Sequence, residues 1–434
     1  MPHRNTLDRA RSALLLVTMA GPVTFAPAAE PPPAHAPGQS PGLLDRDRLT
    51  GDWLGLRPRL EDRGLTIDAS YLAEFSGAAG GGINQRGSFR NLLTIDVHLD
   101  LAVAAGLSGG TVFAQFLSAN ANTGGSADSG DIQAYSNIEH DRSLDAIYEL
   151  WYEQRFLDQR LRVKIGKIDA NSEFAFVHAA GKFSHSSAGF SPTVFVFPSY
   201  PDPATGINLF ATVIRTNTAD LTLGYGFYDG AAGADGVATG RRGPSTFFSS
   251  DLSDDYFHIA QAGFSWRRPG KARESDPGGR VAVGAWYHDG TFERFAGGTT
   301  TGTAGFFATA ELHLFDPELT SAGSGRGLYA FAQYGWADSR ISEIAQHAGG
   351  GLVWRGPMAS RPEDSIGLYA SLALLSDEPA AGFDRDELAL DAYYCVHLTP
   401  AVFIQPEAQY IINPSGDASV DNALVLGLRI GLAF

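Results

Sequence analysis

The sequence has little cysteine, little charge and no long apolar run. Its single cysteine, Cys395, cannot form a disulfide within the chain, so no disulfide framework supports the fold. Charged residues make up only 18% of the chain, whereas a soluble domain usually carries about a quarter. Beyond residue 30 no stretch approaches the roughly 18 consecutive apolar residues of a transmembrane helix. These absences exclude a disulfide-stabilised scaffold and a helical membrane protein.

The first 28 residues predict an export signal. Arg4, Arg9 and Arg11 form a basic start, residues 13–26 are apolar, and the Ala-Pro-Ala sequence at 26–28 fits a cleavage site. Removal of residues 1–28 would change the formal net charge from −16 to −18. A chain this acidic is a poor candidate for binding nucleic acid. We therefore expect an exported protein with no nucleic-acid partner.

The next two segments differ from the rest of the chain. Residues 29–48 are rich in proline and alanine and predict a linker. Residues 49–64 predict a short N-terminal helical segment, in which Thr50 or Asp52 would cap a helix that ends at Gly64.

From residue 65 to the C-terminus, apolar and polar residues alternate with the period of a β-strand. The segment 91–103 alternates in this way, and so do 65–75 and 365–377. We predict sixteen strands, of which 255–268 and 346–356 are the weakest. Most are long enough to cross a bilayer at a tilt, and several connections alternate between short and long, as in outer-membrane barrels.

The fold class predicted for residues 65–434 is all-β, a transmembrane antiparallel β-barrel of about sixteen strands. A soluble β-sandwich or propeller also alternates, but its strands are shorter and its turns closer together. A closed barrel also explains why the chain ends on an amphipathic strand at Phe434: lipid covers the apolar face, and the first strand pairs with the free edge. Sixteen strands leave a bore too wide for side chains to fill.

Several segments resemble the carbohydrate-selective porins of the OprB type. They are LTGDWLGLRPRLEDRGLTID (49–68), IYELWYEQ (147–154), KIGKIDANSEFAF (164–176), YPDPATGINLF (200–210), GYGFYDG (224–230) and QPEAQYIINPSG (405–416). Leu54 departs from the family pattern, in which a glycine follows the tryptophan. The resemblance implies a sixteen-stranded barrel, located in the bacterial outer membrane, through which glucose and other small sugars diffuse passively past inward-folded loops.

A sugar channel needs hydrogen-bonding groups, a flat apolar surface and weak binding. Alternation in the fourth predicted strand places Ile147 on one face with three candidates for the sugar path, and the fifth strand adds two more. A purely structural role, with these charges pairing in the bore, is the alternative for each of them. The candidates are Glu149, Trp151, Glu153, Arg162 and Lys164.

The longest connection, 169–205, contains too many phenylalanines for a solvated loop. We predict that it folds inward and narrows the bore, the alternative being that it packs on the rim or against another protomer. Its polar candidates are Asn171, Glu173 and His178. Cys395 is predicted to face the bore, and Pro406 predicts a β-bulge.

We expect no catalytic residue, no cofactor and no metal site. Acidic loops such as 126–131 lack the calcium-loop pattern. The expected partners are carbohydrates as translocated solutes, outer-membrane lipid, and the outer-membrane assembly machinery through Phe434. The sequence leaves open whether the barrel forms a homo-oligomer. The alternative functions are a general or weakly cation-selective porin and a non-transport barrel acting as an adhesin or membrane hydrolase.

Overall fold

The computed structural model describes residues 42–120, 125–140, 142–230, 244–248, 255–267, 278–315, 317 and 325–434. The predicted signal peptide, 1–28, and most of the predicted linker, 29–48, lie outside the described residues. Among the helices that are described, none is long and apolar enough to cross a membrane.

Sixteen antiparallel strands form one closed barrel in which each strand pairs with its neighbours in sequence and β1 pairs with β16. The strands are β1 (Leu65–Gly82), β2 (Gly87–Asp100), β3 (Gly110–Ala119), β4 (Leu144–Phe156), β5 (Leu161–Ile168), β6 (Ala204–Arg215), β7 (Ala219–Asp229), β8 (Tyr256–Trp266), β9 (Gly279–Glu293), β10 (Thr299–Phe315), β11 (Gly327–Ala337), β12 (Ile344–Arg355), β13 (Ser365–Leu375), β14 (Glu387–Thr399), β15 (Val402–Ile412) and β16 (Asp421–Ala433). The predicted fold class is confirmed, including the two weakest strands.

In the described part of the chain, four short α-helices accompany the barrel: α1 (Leu56–Glu61), α2 (Leu101–Ala105), α3 (Ser126–Ser129) and α4 (Pro244–Phe247). Helix α1 lies within the predicted segment 49–64, but Gly55 is its N-cap, so the predicted caps Thr50 and Asp52 are wrong. Trp53 and Leu54 both have positive φ, and this left-handed turn delays the start of the helix.

Strand β2 ends earlier than predicted because a helix follows it directly. The Asp100 side chain accepts a hydrogen bond from the Ala102 amide at 2.8 Å and thereby caps α2. Residues 101–103, predicted as strand, therefore belong to a helical turn.

Alternation gives the barrel an apolar outside and a polar inside. In β16 the side chains of Leu424, Leu426 and Leu428 are exposed on the outside, whereas Arg429 is buried inside. The edge of β16 is closed against β1, where Phe75 pairs with Leu428. With every strand paired, the backbone is satisfied within the hydrocarbon layer.

Two details of register differ from the prediction. The pairing of β3 with β4 shifts between Gln115 and Phe116, so that Tyr148 forms a bulge. Tyr148 and Glu149 are consequently both buried, and Ile147 is 57% exposed on the outside, not on the face of Glu149 as predicted. Pro406 causes no bulge, because the β15–β16 register continues unchanged through its pairing with Leu428.

The connections alternate in length from β3 to β8 and again from β13 to β16, but not in between. The connection 157–160 after β4 is short and 169–203 after β5 is long, but after β9 only residues 294–298 intervene. We call residues 120–143, between β3 and β4, loop A, and residues 169–203, between β5 and β6, loop B. Both lie at the rim opposite the start of β1 and the end of β16, which is the extracellular rim in the usual orientation of such barrels.

Candidate functional site

Loops A and B both fold into the barrel. Loop B, which starts at β5, donates its Ser184 amide to Glu407 of β15 at 2.8 Å. Loop A, which starts at β3, donates its Ile132 amide to Glu387 of β14 at 2.9 Å. These contacts cross from one part of the wall to another, so the loops occupy the bore itself.

Wall side chains hold the loop backbones by accepting their amide hydrogens. A carboxylate or amide oxygen aimed at a buried N–H group satisfies a donor that water cannot reach. We call the five wall side chains that do this the loop anchors. They are Glu149 to the Asp169 amide at 2.9 Å, Gln261 to Ala175 at 2.9 Å, Glu311 to Ala179 at 2.7 Å, Glu387 to Ile132 at 2.9 Å and to Gln133 at 3.2 Å, and Glu407 to Ser184 at 2.8 Å.

Glycines on the inner wall make room for aromatic side chains of loop B. A Cβ atom added to Gly367 would lie 2.7 Å from the ring of Phe183, and one added to Gly226 would lie 2.8 Å from the ring of Phe174. Both rings are buried. The loop therefore packs against the wall as part of a core, and its aromatic content has its burial inside the barrel.

Four predicted residues form one charge network at the root of loop B. Arg162 bonds Glu153 at 2.9 Å and Glu173 at 2.5 Å, and Lys164 pairs with Glu173. Burial alone would raise the pKa of the Glu173 carboxyl, but Lys164 and Arg162 together lower it below its ordinary value. The network joins β4, β5 and the loop, and Arg162 remains partly exposed to the bore.

Trp151 stands in a row of rings on the inner wall. Its ring lies 4.8 Å from that of Phe113, and the Phe113 ring lies 4.5 Å from that of His98. The Lys164 ammonium lies 3.8 Å from the Trp151 ring centroid, a cation–π contact. The row runs across β4, β3 and β2 toward the periplasmic rim, where His98 is exposed.

The other predicted residues have different surroundings. Asn171 is fully buried and donates its side-chain amide to the Phe174 carbonyl at 3.2 Å, so it shapes loop B from within. Glu149 is a buried loop anchor. His178 has a half-exposed side chain, and its Nδ1 lies 3.1 Å from Glu311. These three residues are not part of the charge network.

A second charge network, which sequence reasoning missed, fixes loop A. Glu74 of β1 pairs with Arg90 of β2 at 3.2 Å and with Arg429 of β16 at 2.7 Å. Ser136 donates to Glu74 at 3.0 Å, and Arg429 donates to Asn137 at 2.6 Å. The three charges lie in three different strands, so only their inward positions in the alternation could have identified them.

Titratable groups of the loops have altered pKa values. Burial raises the pKa of the Glu139 carboxyl in loop A to about 7, although Arg90 opposes the shift. Burial lowers the pKa of His185 in loop B to about 3. His185 is therefore neutral at physiological pH, whereas Glu139 titrates close to neutrality.

Cys395 faces the bore, as predicted, and lies 3.5 Å from the Lys182 ammonium of loop B. Within the part of the chain that the structure describes, no group of three or more His, Cys, Asp or Glu side chains has the arrangement of a metal site.

A closed barrel with an apolar outside, a polar bore and inward loops that narrow it defines an outer-membrane porin. The family model "Carbohydrate-selective porin, OprB family" matches residues 87–434, and the chain belongs to this family of sugar-preferring channels. Its place is accordingly the bacterial outer membrane.

Relatives agree with this assignment over nearly the whole chain. The chain is 25% identical to "Putative porin QuiX" of Acinetobacter baylyi, covering 90% of this chain and 94% of the relative. It is 24% identical to "Porin B" of Pseudomonas aeruginosa, with coverages of 89% and 91%. The high-pH structure of Pseudomonas putida OprB has the same fold, with a TM-score of 0.76 at 20% identity, over 90% of this chain and 99% of that one.

Proposed function

We propose that the barrel is a passive channel for monosaccharides such as glucose, and that loops A and B together form its constriction. The observation that carries the proposal is the set of loop anchors, which hold both loops inside the bore by hydrogen bonds to their backbone. A loop held by buried amides at several points sets an aperture of fixed size. Size selection by such an aperture favours a single sugar ring over a disaccharide.

The sugar path runs along the ring row of Trp151, Phe113 and His98. An aromatic face offers the C–H side of a sugar a flat apolar surface, while neighbouring polar groups serve its hydroxyls. Lys164 stands beside Trp151, and it shares the carboxylates of Glu153 and Glu173 with Arg162. Paired charges offer donors and acceptors without strong attraction for either ion, which suits a neutral solute.

The other candidates hold loop B in place or line the bore, and they lie outside the row of rings. Glu149 and Asn171 maintain the shape of loop B, and Glu173 ties it to Lys164 and Arg162. His178 adjoins a pocket near the periplasmic rim that Arg280 and Glu311 also line. The role of His178 is to place a polar group on the periplasmic side of the constriction.

The channel carries out no chemistry in this proposal. The outer-membrane assembly machinery is proposed to read the last strand, whose terminal Phe434 donates its amide to Ala69 at 2.9 Å and so closes the barrel edge. A signal peptide at residues 1–28 is proposed to direct export.

Liposome swelling tests the proposal. Purified protein is compared for uptake of glucose, of a disaccharide and of an amino acid of similar size to glucose. We expect glucose to enter faster than both, and Trp151→Ala to reduce the preference for glucose over the amino acid. Tyr152→Ala is the matched control, because its ring is on the lipid-facing side of the same strand. Uptake sorted by size alone would identify a general porin, and an amino-acid cation entering fastest would identify a cation-selective one.

A further inference from the structure

The connection between β7 and β8 contains a helical turn that lies outside the barrel. Helix α4 places the ring of Phe247 5.6 Å from Phe227 of β7 and 5.8 Å from Tyr256 of β8. The Tyr256 hydroxyl donates to the Phe247 carbonyl at 3.4 Å. These contacts fix α4 against two neighbouring strands at their extracellular ends.

The two strand residues whose rings contact Phe247 point away from the bore. Tyr228 and Phe257, which pair with each other, are fully buried inside the barrel. Because strand side chains alternate, the residues before them, Phe227 and Tyr256, lie on the outer face. Helix α4 is thus on the lipid side of the wall, in contrast to loops A and B.

Phe248 extends this aromatic contact into open surroundings. Its ring lies 5.0 Å from that of Phe247, yet Phe248 is 81% exposed. The same outer surface continues along the wall through Tyr225, whose hydroxyl is 2.8 Å from Nδ1 of His258, and through Tyr287. Tyr225 and Tyr287 are also exposed, at 42% and 45%. Phe247 and Phe248 are therefore continuous with a row of outward-facing aromatic side chains, Phe227, Tyr225 and Tyr287, which we call the aromatic girdle.

Aromatic side chains in such a girdle occupy the boundary between acyl chains and head groups. An exposed phenylalanine ring on the outer wall, beside this girdle, has the same preference because lipid removes it from water. We propose that Phe247 and Phe248 form a membrane contact of the extracellular connection, with the ring of Phe248 inserted among the lipids of the outer leaflet. The occupant is lipid, because the surface is continuous with the lipid-facing belt.

The experiment measures the depth of residue 248 in vesicles of phosphatidylcholine. Phe248→Cys in a Cys395→Ser background is labelled with an environment-sensitive fluorophore, and the full barrel is reconstituted with lipid that carries a doxyl quencher near the glycerol. Leu368→Cys, on the outside of β13 and 56% exposed, is the lipid-facing reference. Ala380→Cys, exposed in the connection between β13 and β14, is the aqueous reference. Heat-dependent gel mobility verifies that each labelled barrel is folded.

We expect the label at residue 248 to be quenched to the same degree as the label at residue 368, and the label at residue 380 to be unaffected. Quenching no stronger than at residue 380 would overturn the proposal. Pyrene excimer emission from labels at residue 248 that persists as the protein is diluted with lipid would also overturn it, because the occupant would then be a second copy of the chain. Neither result depends on sugar uptake, so the proposed transport function is judged separately.

Discussion

Glu407 provides the sharpest test of how the constriction is held. Its Oε1 accepts the Ser184 amide at 2.8 Å and the Ser184 hydroxyl at 2.6 Å. The hydroxyl also has the Tyr135 carbonyl within 3.2 Å, so it keeps an acceptor when Glu407 is lost. The amide is the donor that Glu407→Ala leaves unsatisfied in the docked loop.

The expected magnitude follows from that amide, because the Gln405 side chain, which also donates to Glu407 at 2.9 Å, keeps the Lys182 carbonyl as an acceptor at 2.8 Å. An unsatisfied buried donor costs about 2 kcal/mol, which corresponds to a change of roughly 30-fold in the equilibrium between docked and released loop B. Glu407→Gln retains an acceptor oxygen and loses only the charge, so its effect is smaller, about 1 kcal/mol. Comparing the free-energy costs of Glu407→Ala and Glu407→Gln therefore separates the contribution of the hydrogen bond from that of the charge.

Native-state hydrogen exchange of the segment around Ser184 measures the release directly. We expect exchange to accelerate by about 30-fold in Glu407→Ala, together with faster disaccharide uptake in liposomes. Asp96→Ala is the control, since Asp96 is also a carboxylate on the inner wall but its hydrogen bond is to Gln115 of the neighbouring strand. Equal exchange in the Glu407 and Asp96 variants would refute the role of Glu407 as a loop anchor.

Three further predictions concern the packing, titration and charge of the site. Gly367→Val should lower the stability of the barrel by about 1–3 kcal/mol through its clash with the rings of Tyr393 and Phe183, as measured by the heat-induced gel shift. Gly427→Ala, where the nearest atom to an added Cβ is 3.6 Å away, should leave the stability unchanged, and equal losses would contradict the argument. Because burial raises the pKa of Glu139 to about 7, the stability of folded loop A is greatest below the unfolded pKa of about 4.3 and falls as the pH rises through about 7. Amide protection of residues 125–140 should therefore increase on acidification in the native chain and not in Glu139→Gln. An equal response of the two proteins would refute the role of Glu139. Arg162→Ala leaves two carboxylates with less positive charge and should shift the reversal potential in a salt gradient toward cation selectivity, whereas an unchanged potential would show that Arg162 does not face the ion path.

The strands could be predicted because lipid and bore impose opposite chemistry on successive residues. That pattern is local, so even the glycine-rich β12 was found. What alternation cannot reveal is where it is interrupted. Asp100 ends β2 by capping α2, and the bulge at Tyr148 turns Ile147 outward. Both features depend on one side chain or one extra residue, and they leave the overall hydrophobic pattern intact.

The site was predictable only where its parts are close in sequence. The short connection 157–160 pairs β4 with β5, which places Arg162 opposite Arg155 and Lys164 opposite Glu153. The loop anchors follow no such rule, because Glu407 is separated by 223 residues from the amide it accepts. Loop A was missed for the same reason: its contacts with Glu387 and Arg429 join distant parts of the chain.

This separation in sequence dictates an order of events during folding. Loop A emerges after β3 and loop B after β5, but their acceptors Glu387 and Glu407 belong to β14 and β15. Neither loop can complete its hydrogen bonds until the last strands have joined the wall. The constriction is therefore completed late, after β14 and β15 have joined the wall and Arg429 of β16 has reached Asn137 of loop A. A barrel that has inserted but not yet closed has a bore that the loops do not fully narrow. Rapid pairing of β16 with β1 is thus a matter of membrane integrity as well as of stability.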